Sequence, residues 1–355
     1  MVSFILHKQS CMDLEIHEQP TILSKILSEY LTFDGNLKID IPENTKRIVL
    51  VASGSSYHCA RFGADLFGKV ANMSARAIYS SEFLLKPKVP DDEGTVYIFI
   101  TQSGETSDTL RAAKRAKQLG MTIICITNSN KSSIWNLADY KINCFAGVEK
   151  SIAATKSFTA QMLCLYLLTL KYAQKANIDI KSYIEDIKTL PRIVNETFDM
   201  SKKIQQLAKM LKKEKNFIIT ADGISYAMAK EAALKIQETS YLNVTAIILG
   251  EFMHGHVAIL SNKIPLIYIS ASGVSYSAAK NLAKIKQDYN PPIYIIGRSN
   301  ERITPNFNIT IDNESPVLRM FSNAVVIQLL ALFIANKLGR NVDKPKGLVK
   351  VVKET

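Results

Sequence analysis

Val96-Tyr-Ile-Phe-Ile-Thr-Gln-Ser-Gly-Glu-Thr-Ser-Asp-Thr109 is the stretch on which the fold turns. Val96 to Ile100 is an apolar run of strand length, and Leu110 to Leu119 carries helical spacing. Thr101 to Thr109 is therefore read as the turn at the carboxyl end of a strand that opens the next helix. Thr101, Ser103, Thr106, Ser107 and Thr109 crowd hydroxyls into it, and Gly104 lets the backbone approach a ligand. A helix amino terminus adds unpaired N–H groups and partial positive charge. Together these make a phosphate cradle. The same residues also fit an ordinary capped helix, since Ser and Thr cap helices routinely.

The chain contains this arrangement twice. Ile48-Val-Leu-Val-Ala-Ser-Gly-Ser-Ser-Tyr57 aligns with Phe217-Ile-Ile-Thr-Ala-Asp-Gly-Ile-Ser-Tyr226, and Thr101-Gln-Ser-Gly104 with Ser270-Ala-Ser-Gly273. The glycine offsets, 223 − 54 and 273 − 104, are both 169, and Lys117-Gln118 meets Lys286-Gln287 at the same offset. One offset shared by separate motifs implies duplicated domains. Strands are expected at 48–52, 96–100 and 123–127, then at 217–221, 265–270 and 293–297. Helices are expected at 57–70, 156–176, 226–241, 276–288 and 316–338, with turns at 53–56, 222–225 and 271–275. Alternation of this kind predicts parallel sheets covered by helices on both faces. The fold class is thus α/β, two tandem doubly wound three-layer domains. The expected divisions are a helical segment 12–46 with a helix from Pro20 to Tyr30, a first domain 47–190, a second 191–340 and a tail 341–355. A polar helical stretch from Ser182 to Lys215 joins the two rounds. Ligands of open α/β sheets sit outside the strand carboxyl ends. The first copy keeps more polar turn residues, so the phosphate site is expected there.

Composition narrows the function. The 355 residues are 47% hydrophobic, enough for two cores, and 44 Lys plus Arg against 32 Asp plus Glu give +12. The basic residues are scattered, with no Arg-rich block and no aromatics interleaved, which argues against nucleic acid and for attraction of small anions. Cys11, Cys59, Cys125, Cys144 and Cys164 are odd in number, form no C-x-x-C pair and mostly lie in apolar runs, so a reducing, cytoplasmic setting is expected. Phe4-Ile-Leu6 is too short for a signal-peptide core, and no run is read as long enough to span a membrane.

Three places carry possible chemistry. Glu231, Lys235 and Glu238 fall four and three apart, on one face of a helix with alanines at 227, 229, 232 and 233. They form either a catalytic carboxylate–lysine group or a solvated stripe. In Gly250-Glu-Phe-Met-His-Gly-His256, His254 can move protons near neutral pH. A loop histidine satisfied by backbone is the alternative, and the further ligands that a zinc site needs are not evident nearby. In the tail, Leu348, Val349, Val351 and Val352 argue for docking that would carry Lys350 inward.

With these residues in view the chain resembles the sugar isomerase (SIS) domain family, most closely the isomerase half of glucosamine-6-phosphate synthases and the related deaminases and deglycases. The resemblance runs from Met12 through Glu15-Ile-His-Glu-Gln-Pro20, Gly54-Ser-Ser-Tyr-His58, Gln102-Ser-Gly-Glu-Thr106, Ala154-Thr-Lys-Ser-Phe-Thr159, Glu251-Phe-Met-His-Gly255, Asp343-Lys-Pro345 and Leu348-Val-Lys350. It implies a sugar-phosphate substrate, no cofactor and no metal. Ser55, Ser56, Thr101, Gln102, Ser103 and Thr106 would hold the phosphate, with Thr101 where the synthases have Ser. Gly54, Ala153 and Ala154 would touch the sugar. Glu238 would shuttle a proton between C1 and C2 beside Lys235. His254 would open the ring from the neighbouring subunit of a homodimer, and Lys350 would close over the open-chain sugar.

Two departures shape the expected reaction. No glutaminase domain precedes residue 12 and no Cys follows Met1, so glutamine is not expected to supply ammonia. Deamination of glucosamine 6-phosphate to fructose 6-phosphate is the expected direction. His256 stands where the family usually has Pro and Ala154 where Ser is common. A fructosamine-6-phosphate deglycase is the alternative enzyme, and a non-catalytic sugar-phosphate sensor the alternative of another class.

Overall fold

The computed structural model describes residues 9–86, 93–298, 303–312 and 315–351. Two helices, α1 (Cys11–His17) and α2 (Gln19–Tyr30), lead into the first round. This runs β1 (Arg47–Ala52), α3 (Gly54–Val70), β2 (Ser74–Tyr79), α4 (Ser80–Leu85), β3 (Thr95–Thr101), α5 (Ser107–Gln118), β4 (Thr122–Thr127), α6 (Ser133–Leu137), β5 (Tyr140–Asn143) and α7 (Lys156–Lys175). Helices α8 (Lys181–Lys188), α9 (Leu190–Thr197) and α10 (Ser201–Leu211) connect it to the second round. That round is β6 (Asn216–Ala221), α11 (Tyr226–Ser240), β7 (Asn243–Ile248), α12 (Leu249–Phe252), β8 (Leu266–Ser270), α13 (Tyr276–Tyr289), β9 (Ile293–Gly297), β10 (Phe307–Thr310) and α14 (Pro316–Lys337).

Each round forms a parallel five-stranded sheet, in the orders β2-β1-β3-β4-β5 and β10-β9-β8-β6-β7. The second order, read backwards, is the first one repeated, as the offset of 169 requires. Strand alternation divides the core. Ile48, Leu50 and Ala52 of β1 join Phe217, Ile219 and Ala221 of β6 in one central cluster with α3, α7, α11 and α14. Val49 and Val51 face an outer cluster with α5, and Ile218 faces a third with α13. The two domains therefore share their inner faces, and helices α3 and α11 meet between them.

Several expectations are adjusted. Residues 54–56 belong to the first turn of α3 rather than to a free turn, and 223–225 form a short 3-10 turn leading into α11. The 182–215 stretch is three helices, and α1 was not foreseen. Edge strand β2 was missed because its residues alternate between exposed and half-buried and leave no apolar run. The short β5 and β10 were missed as well. The view that no run could span a membrane is corrected by α14. It is long and apolar enough by length and composition, but 89% of its apolar window is buried inside the protein, as befits a core helix. The tail does dock, yet not through Leu348 and Val349, while Val351 is half-buried. Leu348 and Val349 are 39% and 65% exposed, while Val342 is buried and polar anchors hold the rest. Phe4–Leu6 and Val352 lie outside the described residues.

Candidate active site

The order of the first sheet reverses direction between β1 and β3, so their carboxyl ends flank a crevice of the kind in which α/β proteins bind ligands. Two helix amino termini open on it. Helix α3 starts at Gly54, whose φ of +56° is left-handed, and α5 starts after Thr106. The turn between β3 and α5 is braced from within. Thr101 Oγ1 pairs with Thr106 Oγ1 at 3.0 Å and accepts the Gly104 N–H at 3.3 Å, and Ser103 Oγ accepts the Glu105 N–H at 3.1 Å. The Gln102 carbonyl accepts from Asn128 N at 3.1 Å, tying the turn to the end of β4. Gln102, Ser103 and Ser56 remain half-exposed.

Gly104 is the position where this turn tolerates no side chain. Its φ is +73°, and a Cβ there would stand 2.1 Å from Ser132 Oγ. A left-handed backbone alone costs an L-residue about 1–2 kcal/mol. Gly104→Ala is expected to leave the fold intact but to lower affinity for the sugar phosphate that the sequence resemblance implies by about tenfold, measured by titration calorimetry. Unchanged affinity would remove this turn from the binding site.

Helix α11 crosses against α3 and carries the charged stripe. Glu231 is fully buried, and its carboxylate accepts the Ser55 hydroxyl at 2.9 Å and meets His58 Nδ1 at 2.6 Å. Lys235, also buried, reaches Glu231 at 3.6 Å and donates to Glu238, whose side chain is 22% exposed. Burial alone would lower the Lys235 pKa. The carboxylates Glu238 and Glu231 outweigh it and raise that pKa above the ordinary lysine value, so the ammonium stays charged. The stripe is thus an internal network and not a solvated face.

The loop from β5 to α7 receives the tail. Ala153 is buried in it and Ala154 half-buried. Lys350 from the tail donates to Glu149 Oε2 at 2.5 Å and to the Ser151 carbonyl at 2.7 Å. Glu149 lies close enough to Lys235 to add to the upward shift of its pKa.

The structure therefore brings Ser55, Lys235 and Glu238 into one network around Glu231, and Lys350 into a second around Glu149. It places the Ser55 hydroxyl on Glu231, and the Thr101 and Thr106 hydroxyls on each other. His254 stands apart. It follows α12, which packs on β6, β7 and α13, and it is exposed, with no side-chain hydrogen bond or ion pair to any described residue. Among the described residues no group of three His, Cys, Asp or Glu is placed to hold a metal. Glu149 and His58 went unnoticed as site residues in the sequence. Glu231 was seen only as part of a stripe.

Comparison with known proteins agrees with this architecture. The SIS domain family matches residues 43–171 and 210–335. The chain belongs to the SIS domain family, with two copies of the domain. Among curated relatives, glutamine–fructose-6-phosphate aminotransferase [isomerizing] of Campylobacter jejuni is 31% identical over 346 residues, covering 96% of this chain and 58% of that protein. The enzyme of the same name from Fusobacterium nucleatum is 32% identical over 352 residues, covering 95% and 58%. The chain thus spans somewhat more than half the length of these relatives. Among solved structures, the C-terminal domain of glucosamine-fructose-6-phosphate aminotransferase from Francisella tularensis superposes with a TM-score of 0.89 at 26% identity, covering 95% of this chain and 99% of that one. Glucosamine-6-phosphate deaminase from Thermotoga maritima, at 23% identity, covers 97% and 100% with a TM-score of 0.79 and shares the fold.

Proposed function

We propose that this protein is a phosphosugar isomerase that deaminates glucosamine 6-phosphate to fructose 6-phosphate and ammonia. The observation that carries the reading is the Lys235–Glu238 pair. It sets a partly exposed carboxylate beside a buried ammonium, whose pKa the neighbouring carboxylates raise, on the helix that packs against the cradle-bearing domain. An aldose–ketose shift needs one base that reaches two adjacent carbons. In this reading the crevice between β1 and β3 holds the phosphate and so fixes the reacting carbons. Glu238 removes the proton from C2 of the open-chain amino aldose and returns it to C1, while O1 gains a proton and the C2 amine gives one up. The C2 imine that results adds water and releases ammonia, leaving the ketose. Lys235 holds the Glu238 carboxylate in place and offers positive charge to the enediolate-like intermediate. Lys350 closes over the chain. The exposed, unpaired His254 acts as ring-opening acid–base on a second copy, so the active unit is a homodimer.

The test is a coupled assay for fructose 6-phosphate and ammonia with glucosamine 6-phosphate as substrate, run beside fructosamine 6-phosphates. Turnover of the first supports deamination, and turnover confined to the second moves the reaction to deglycation. Thermal protection without any turnover would make the protein a sensor. Mixing inactive His254→Ala and Glu238→Ala chains is expected to restore about a quarter of wild-type activity if random exchange gives one intact site in half of the dimers. No recovery from chains shown to exchange would overturn the assignment of His254 to the site of the second copy.

A further inference from the structure

The tail from Asn341 to Val351 has no helix or strand, and yet it is fixed at defined points. The Asp343 carboxylate accepts the Cys11 and Met12 N–H groups at 2.9 Å each, capping α1. The Asp343 carbonyl accepts Ile152 N at 3.2 Å, and Lys346 N donates to Tyr241 Oη at 2.6 Å, just past the end of α11. The last anchor is Lys350 on Glu149. Glu149 is prepared for it. Its Oε1 accepts the Thr155 and Ser157 N–H groups at 3.0 and 3.1 Å, and its Oε2 accepts Ser157 Oγ at 2.7 Å beside Lys350. Thr155 is the cap position of α7 and its own side chain makes no capping bond, so Glu149 caps that helix from six residues upstream. A carboxylate with no exposed side-chain surface is costly unless paired. Helix capping accounts for one oxygen, and Lys350 completes the other.

We infer that Glu149 is a positioning residue, a buried latch that draws the tail shut through Lys350 and sets that ammonium over the sugar site. The latch rests on the reading of Lys350 as the lysine that closes over the substrate. It makes closure of the tail a property of the folded chain, in which an unlatched tail leaves a buried anion short of its counter-charge. Burial pushes the Glu149 carboxyl upward, but Lys350 and the Thr155 and Ser157 donors outweigh it and hold the pKa below the ordinary glutamate value, consistent with a latched carboxylate.

The test compares wild type, Glu149→Gln, Lys350→Met and the double variant in full-length protein by hydrogen exchange, thermal melting and kinetics. Glu149→Gln is expected to speed amide exchange of residues 346–351 by about tenfold or more while the strands of both sheets stay protected. The cradle lies on other elements, so kcat is expected to fall about tenfold or more with KM changed less than about threefold. Lys350→Met leaves the anion unpaired and is expected to melt below wild type, and adding Glu149→Gln is expected to recover part of that loss. Tail exchange and kcat of Glu149→Gln at wild-type values would overturn the latch. So would a drop in Tm with the tail still protected, because that outcome reduces Glu149 to a cap of α7. If wild type turns over no sugar phosphate, the proposed reaction fails, and tail exchange together with the double-variant melt still decides the latch.

Discussion

Glu238→Gln is expected to lower turnover of the sugar phosphate by about a thousandfold, inside the range that positioned general bases contribute. Glutamine keeps the size of the side chain and can still accept a hydrogen bond from Lys235. It cannot take a proton from carbon. The buried part of the network should survive, because Lys235 retains Glu231 at 3.6 Å and Glu231 retains Ser55 and His58. Stability should fall by about 1–3 kcal/mol, since the amide keeps a hydrogen bond to Lys235 but the buried ammonium loses the charge of its nearer partner. On the proposed reading the phosphate cradle is untouched, so glucosamine 6-phosphate should raise the melting temperature of the variant as much as that of wild type. This combination separates a lost base from a damaged site. Turnover within about threefold of wild type would mean that another group moves the proton. Loss of both turnover and thermal protection would mean that Glu238 binds substrate instead.

What the sequence made legible and what it hid divide along one physical line. The repeat offset of 169, the apolar runs at β1, β3, β4, β6, β8 and β9, and the turn from Thr101 to Thr109 are local, and local spacing encodes local structure. The helical spacing of Glu231, Lys235 and Glu238 likewise placed them on one face. Spacing does not say what the face meets. Ser55 and Glu231 are 176 positions apart, and Lys350 and Glu149 are 201 apart. No period in the chain marks those pairs. Glu149 is a single acidic residue in an irregular loop, and nothing local announces that it caps α7. The tail misled for a related reason. Its apolar end suggested hydrophobic docking, but beyond buried Val342 the tail is held by hydrogen bonds that Asp343 accepts and that Lys346 and Lys350 donate, which no hydropathy pattern shows. His254 lies in an exposed loop beyond β7 and α12, and the role proposed for it depends on a second copy of the chain.

Glu231→Ala is expected to destabilise the folded protein by about 3–5 kcal/mol, the usual cost of removing one member of a buried charged group. Glu231 has no exposed surface, and three groups converge on it: the Ser55 hydroxyl at the start of α3, His58 one turn on, and Lys235 on its own helix. Alanine leaves the first without an acceptor and His58 without its partner, and it opens a cavity against α3. Lys235 keeps Glu238 but loses one of the carboxylates whose charge offsets its burial. Glu231→Gln should cost less, about 1–2 kcal/mol, because the amide can still accept from Ser55 and donate to His58 Nδ1. Denaturant unfolding measures both. The contact joins the two repeats, so the alanine variant should also lose cooperativity, with the transition broadening as the domains separate. A double-mutant cycle with Ser55→Ala isolates the link itself and should give a coupling of about 1 kcal/mol. If Glu231→Ala costs under about 1 kcal/mol, the carboxylate is not the tie between the domains that its geometry indicates, and α3 and α11 are held by apolar packing alone.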